Sequence, residues 1–501
     1  MNIKKITVLG ELKAAGYQPK TIKEEMRDNL IAALLSKKNV FEGIQGYDES
    51  VIPQLQTAIL SRHNIILLGL RGQAKTRLAR LMVNLLDEYI PVVKGSEMND
   101  DPLQPISRYA KDQIAEWGLQ TPVAWLHRDE RYAEKLATPD VSVADLLGDV
   151  DPIKAATLKL NYADERVIHY GIIPRSHRSI FVINELPDLQ ARIQVSLFNI
   201  LQEGDIQIRG FKMRLPLDIQ FVFTANPEDY TNRGSIVTPL KDRIDSQILT
   251  HYPKSMGISR AITEQESDIT PSQKESIVIP SLLQDLIEQV AFEARESDFV
   301  DKKSGVSARL TISALENLYS TVERRMLINK ETKGYARISD IYGILPSITG
   351  KVELVYEGEV EGIATVATML IGKALRKQFA GIFPNPEKNK KVKVKSVSPY
   401  AEIVNWFNEG NKVDIMQNAP QATYEKALLF VTGLNDLVKT HFPRATRQEQ
   451  LFMMEFALHG LAEFSQLSKH RLETGIQFKD LLGSMMNFGI GEEEEEGTGL
   501  N

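Results

Sequence analysis

Cysteine is absent from all 501 residues. Disulfides, zinc–thiolate centres and cysteine nucleophiles are therefore excluded, and a chain without thiols fits a reducing compartment. Long apolar runs are missing too: the longest, around residues 65–68, fall far short of the ~20 residues that cross a bilayer. The opening stretch MNIKKITVLGELKAAGYQPK carries charge but lacks the apolar segment of a secretory leader. Neither sign of charge dominates, since 60 Lys+Arg against 66 Asp+Glu leave a net charge of −6. That balance opposes a nucleic-acid footprint spread over the whole molecule. The expectation is a cytoplasmic chain with no membrane span and no specific nucleic-acid partner.

Hydrophobic residues at 43% and charged residues at 25% are ordinary for globular chains. At about 100–200 residues per domain, the length predicts two to four domains. Residues 21–35 and 49–61 have helical spacing of their apolar positions. Ile65-ILL is a short apolar run that feeds a Gly-rich loop and then a helical stretch at 76–86. Ser179-IFVINE and Asp218-IQFVFTAN repeat the pattern of an apolar run ending in polar residues, with a helical stretch at 188–203 between them. Strands alternating with helices predict a parallel sheet covered on both faces, whose ligands gather at the strand carboxyl ends. From Pro280 onward helical spacing takes over. A Lys- and Pro-rich linker covers 381–399, a helical region 400–486, and an acidic tail expected to be disordered 487–501. Leu451, Met454, Leu458 and Leu461 recur at helical spacing and read first as packing residues.

The strongest motif is Gly69-L-R-G-Q-A-K-T. A loop between strand and helix can turn its backbone N–H groups onto phosphates, here through Gly69, Gly72, Gln73, Ala74, Lys75 and Thr76. Lys75 would pair with the β/γ-phosphates of ATP, and the Thr76 hydroxyl would bind Mg2+. Ala74 stands where such loops carry glycine, and its Cβ calls for a helical backbone at that position. The second motif is Ile180-F-V-I-N-E. Glu185 suits the polarising of an attacking water, while Asn184 can meet a metal-bound water but brings no negative charge. Asn226 in Phe221-V-F-T-A-N-P could orient that water or bond the γ-phosphate. Arg243, in Thr238-P-L-K-D-R-I-D, lies on a short helix-like segment suited to reach a phosphate in a neighbouring subunit.

In this order the motifs resemble those of AAA+ ATPases of the magnesium-chelatase subunit I and MoxR group, from Phe41 to about Phe379. FEGIQGYDESVIPQLQTAI is similar to the segment that packs beside the adenine there. GVSARLTISALENL resembles the start of the helical lid, where Arg309 matches a sensor-2 arginine. Residues 154–173 resemble, by position, an inserted β-hairpin. The resemblance implies an αβα P-loop AAA+ core at 37–253, after an N-terminal helical segment at 1–36. An all-helical lid at 254–380 and the C-terminal helical region would follow. It also implies ATP and Mg2+ as ligands and a homo-oligomeric ring, usually a hexamer, with Arg243 completing the next subunit's site. A protein with a von Willebrand factor A domain would be the partner that the ring remodels, in a chaperone-like or metal-inserting role. Ala74 and Asn184 depart from the family pattern and bear on the rate of hydrolysis.

Two other readings compete. One is an assembly module that binds ATP and turns it over slowly or not at all, which Asn184 motivates. The other is a sigma-54-type transcriptional activator. It would need a GAFTGA-type loop and a DNA-binding helix-turn-helix, and the sequence has neither.

Overall fold

Five segments rich in apolar residues build the central sheet of the computed structural model: β1 (Ile65–Leu68), β2 (Tyr132–Leu136), β3 (Ser179–Asn184), β4 (Ile219–Ala225) and β5 (Ser246–Leu249). They run in the order β5-β1-β4-β3-β2, every pair parallel. The structure describes residues 6–161, 164–206, 208, 214–227, 235–387 and 398–481. The chain divides into two compact units, Met1–Tyr252 and Pro253–Asn501.

Period-two alternation sends each strand's side chains to two different cores. Ile66, Leu68, Phe181, Ile183, Phe221 and Phe223 enter one cluster, with Ile193, Leu197 and Ile200 packed on them. Ile65, Leu67, Ile180, Val182 and Val222 enter the other, against Met26, Leu30, Leu55, Ile59 and Leu78. The sheet is thus buried on both faces, as its unbroken apolar runs predict. The helix expected at 76–86 is α-helical over Lys75–Leu81 and tightens to a 3-10 turn over Met82–Leu85. The one at 188–203 becomes two pieces, Ala191–Ser196 and Phe198–Glu203.

The N-terminal helix Ile22–Leu35 is part of this unit's core. Thr21 and Glu24 form a capping box that starts it. On its buried face Glu25 meets Arg131 in a two-pronged ion pair at 2.6 and 2.7 Å. Arg131 also donates to the carbonyl of Arg178 (2.9 Å), and Glu25 accepts the backbone N–H of Asp87 (2.7 Å). Both side chains are buried, so removing one partner strands a charge away from water. Glu25→Ala should lower unfolding free energy by about 3–5 kcal/mol, read by urea denaturation. A change below about 1 kcal/mol, the scale of an exposed pair, would mean that the contact is not buried in solution.

One expectation meets a different structure. Among the described residues of 154–173 there is no hairpin. Asp151 caps a helix at Pro152–Leu158, accepting from the N–H groups of Ile153 (2.9 Å) and Lys154 (3.0 Å). The strand Ile168–Tyr170 then pairs antiparallel with Gly148–Val150, which precedes that helix.

The second unit is mainly helical, as expected. Its helices Ser281–Glu296, Arg309–Asn329, Ile363–Ile382 and Arg447–Glu463 share one apolar core, which Leu451, Met454, Leu458 and Leu461 enter. Three strands add to it: Val413–Met416, Ser468–Leu472 and Gly475–Lys479 form an antiparallel sheet. Ile476 and Phe478 point inward from the last of them. Most of the Lys-rich linker, at 388–397, and the acidic tail at 487–501 lie outside the described residues.

Candidate functional site: a phosphate loop at the strand carboxyl ends

The loop at 69–76 leaves the carboxyl end of β1 and enters the helix Lys75–Leu81. Its first residue continues the sheet, with the N–H of Gly69 donating to the carbonyl of Ala225 at 3.1 Å. Glycine is needed at 69 for space. A Cβ there would lie 1.9 Å from Thr250 Oγ1 and 2.2 Å from Gln73 Oε1. At Gly72 the need is conformational, because φ is +72°.

Ala74 departs from the helical backbone expected of it. It adopts φ 56° and ψ 19°, the left-handed region that an L side chain enters at a cost of about 1–2 kcal/mol. The strained residue immediately precedes Lys75, where the backbone must turn into the helix. Ala74→Gly should therefore raise stability by up to about 1 kcal/mol in urea denaturation. A destabilisation of similar size would show that the left-handed turn is not adopted.

Residues just past β5 hold the loop in shape. Gln73 is 6% exposed, and its Oε1 accepts from Thr250 Oγ1 at 2.7 Å. The Tyr47 hydroxyl lies against two carbonyls, Gln73 at 3.0 Å and His251 at 2.8 Å. Burial pushes the Tyr47 phenol up to about 12, so it remains a donor at neutral pH. The Tyr252 hydroxyl donates to the Arg71 carbonyl at 3.0 Å. Three successive residues, Thr250 to Tyr252, thus brace the loop, with Tyr47 as the clasp. None was singled out in the sequence, because no local pattern marks a residue whose work is done across the sheet.

Lys75 is 8% exposed. Its Nζ bonds the carbonyls of Gly69 and Leu70 (3.0 Å) and Asn226 Oδ1 (2.8 Å). The lysine and the asparagine, 151 residues apart in sequence, therefore meet at the mouth of the loop. Asn184 and Glu185 close the other side at the end of β3. Asn184 Oδ1 accepts from Thr76 Oγ1 (3.4 Å) and from Thr224 Oγ1 (3.1 Å). Glu185 has a left-handed backbone, φ 55° and ψ 50°, and its N–H donates to Thr224 Oγ1 at 3.2 Å. A non-glycine residue held there by its neighbours is typical of a strained functional position.

One site in the first unit therefore gathers Gly69, Gly72, Gln73, Ala74, Lys75, Thr76, Asn184, Glu185 and Asn226. Arg243 lies elsewhere in the same unit, just past the short helix Thr238–Asp242. Its Nε donates to Gln202 Oε1 (3.0 Å), its Nη1 to the Pro239 carbonyl (2.7 Å), and its guanidinium stacks 5.1 Å from the Phe198 ring centre. Arg309 belongs to the second unit, exposed at the first turn of the helix Arg309–Asn329.

The residues present fit a nucleotide with its metal. The Gly-rich turn into a helix and the buried Lys75 suit phosphate oxygens. Thr76 and Asn184 offer the neutral oxygens, and Glu185 the nearby carboxylate, that a hard cation such as Mg2+ accepts. A parallel sheet ending in this loop, with polar strand ends beside it, defines the P-loop nucleotide-binding class.

Comparison with known families narrows the class. Residues 64–244 match the AAA domain of the dynein-related subfamily. Solved structures similar to it include an inferred ATPase from Cytophaga hutchinsonii (18% identity, 73% of this chain and 98% of that one, TM-score 0.28). Another is a complex of the BchI and BchD subunits of magnesium chelatase (17% identity, 64% and 98% covered, TM-score 0.33). A third is NtrX from Brucella abortus with ADP (13% identity, 72% and 69% covered, TM-score 0.34). With TM-scores this low these structures carry no argument, and the likeness is that of residues 64–244 to the AAA domain. Among the described residues no helix is long and apolar enough to cross a membrane.

Proposed function

We propose that this chain binds and hydrolyses ATP at the interfaces of a homo-oligomeric ring, and uses the cycle to remodel a partner protein. The observation that carries the reading is the meeting of Lys75 with Asn226 at the loop mouth, opposite Thr76, Asn184 and Glu185. In this account Lys75 and the loop N–H groups hold the phosphates, and Thr76 with Asn184 would hold Mg2+, which supplies charge neutralisation at the phosphates when bound. Glu185 orients and polarises water, Asn226 keeps Lys75 and that water in register, and Arg309 would act as a sensor for the γ-phosphate. A ring of six and a partner with a von Willebrand factor A domain follow from the resemblance to the magnesium-chelatase and MoxR group, and a cytoplasmic setting is the reading of the thiol-free sequence. Slow turnover is the alternative that a specific residue favours, since neutral Asn184 attracts a cation less than a carboxylate would.

Arg243 is the residue that this reading sends to the neighbouring subunit. Its guanidinium keeps company with Gln202, Pro239 and Phe198, so in its own subunit it is braced away from the loop. Arg243→Ala should lower turnover by about 10³-fold while sparing ATP affinity. Mixing it with an equal amount of Glu185→Gln chains should restore about a quarter of wild-type turnover, because one interface in four is then intact on both sides. A mixture as inactive as either variant alone would sink the ring assignment.

A further inference from the structure

We infer that Thr224 is a positioning residue for hydrolysis, setting Glu185 and Asn184 at once through a single hydroxyl. The inference rests on the proposed role of Glu185 and extends it to a residue that neither the motifs nor the family pattern single out. Thr224 lies on β4, two residues before Asn226, and is 1% exposed. Its strand neighbours Phe221, Val222, Phe223 and Ala225 are apolar and buried. Packing alone would be served by valine, which has the same shape without the hydroxyl.

The hydroxyl has one proton and uses both its capacities. It donates to Asn184 Oδ1 (3.1 Å) and accepts the Glu185 N–H (3.2 Å). These two bonds fix the amide orientation of Asn184. Turned over, the amide would take from the buried Thr224 hydroxyl proton the acceptor it has in Asn184 Oδ1. With Oδ1 held by Thr224 and Thr76, Asn184 stays joined to the loop residue that would share the metal. The second bond restrains Glu185 in its left-handed conformation, from which the side chain leaves the end of β3. Burial removes water as a competitor, and the hydroxyl carries the tie between β3 and β4 past the last ladder pair, Phe223 with Ile183, on to Asn184 and Glu185.

The test compares Thr224→Val and Thr224→Ser in the full chain, with turnover expressed per nucleotide bound. Val should lower kcat at least about tenfold and leave KM for ATP within about threefold, and Ser should return kcat to within about threefold of wild type. A purely structural role would instead reduce the fraction of folded sites and leave turnover per site alone. Wild-type kcat per site in the Val variant, or equal losses in Val and Ser, would overturn the inference. If Val does not fold, Thr224→Ala tests the same loss of hydroxyl. Wild-type chains inactive under conditions where they bind ATP would defeat the hydrolysis reading itself. The inference is then decided by the ratio of ATP affinities with Mg2+ and with EDTA. Val should lower that ratio at least about threefold by releasing Asn184 from Thr76, and an unchanged ratio would refute it.

Discussion

Lys75→Ala should weaken ATP binding by about 100-fold or more, measured by calorimetry, while leaving the fold intact. The argument begins with placement. Nζ is delivered to the loop mouth by the Gly69 and Leu70 carbonyls and by Asn226. A charge-assisted bond to phosphate contributes about 1.5–3 kcal/mol in such a site, and one ammonium can make more than one. Alanine loses all of them. The fold should persist because the loop has other restraints, from Thr250 on Gln73, Tyr47 on the Gln73 carbonyl and Tyr252 on Arg71. Unchanged ATP affinity in a folded Lys75→Ala chain would rule out this loop as the phosphate site.

Glu185→Gln should separate chemistry from binding. The substitution keeps the size of the side chain and the backbone N–H that Thr224 accepts, so the left-handed backbone is retained. What it removes is the carboxylate that polarises water. General-base contributions of this kind are worth about 10²–10⁴ in rate, so kcat should fall at least about 100-fold. ATP affinity should stay within about threefold of wild type, because the phosphates are held from the loop side. A Gln variant that turns over ATP as fast as an active wild type would remove Glu185 from the mechanism and leave Thr224 without its purpose.

The strands that carry the site were legible because burial on both faces demands unbroken apolar sequence. Ile65–Leu68, Ser179–Asn184 and Ile219–Ala225 meet that demand, and their polar ends mark where the sheet stops. The outer strands were not legible. Tyr132–Leu136 and Ser246–Leu249 lie at the two edges and are partly exposed, so YAEKL and SQIL carry no comparable run. For the same reason the C-terminal sheet was missed, since four- and five-residue strands alternate too briefly to stand out among helices. At the site, the motif residues could be named one by one, but their braces could not. Thr224, Thr250 and Tyr47 act through bonds between residues 26 to 204 positions apart. Ala74 shows the opposite limit: the sequence marks it as unusual, and only the backbone shows that its Cβ is borne in a left-handed turn.

Titrating the purified chain with ATP, ADP and AMP in the presence of Mg2+ tests the central claim most directly. A loop that grips the β-phosphate predicts saturable binding of ATP and ADP at about one nucleotide per chain, with AMP at least about 100-fold weaker. Equal affinity for AMP and ADP, or no saturable binding of any of the three, would contradict it.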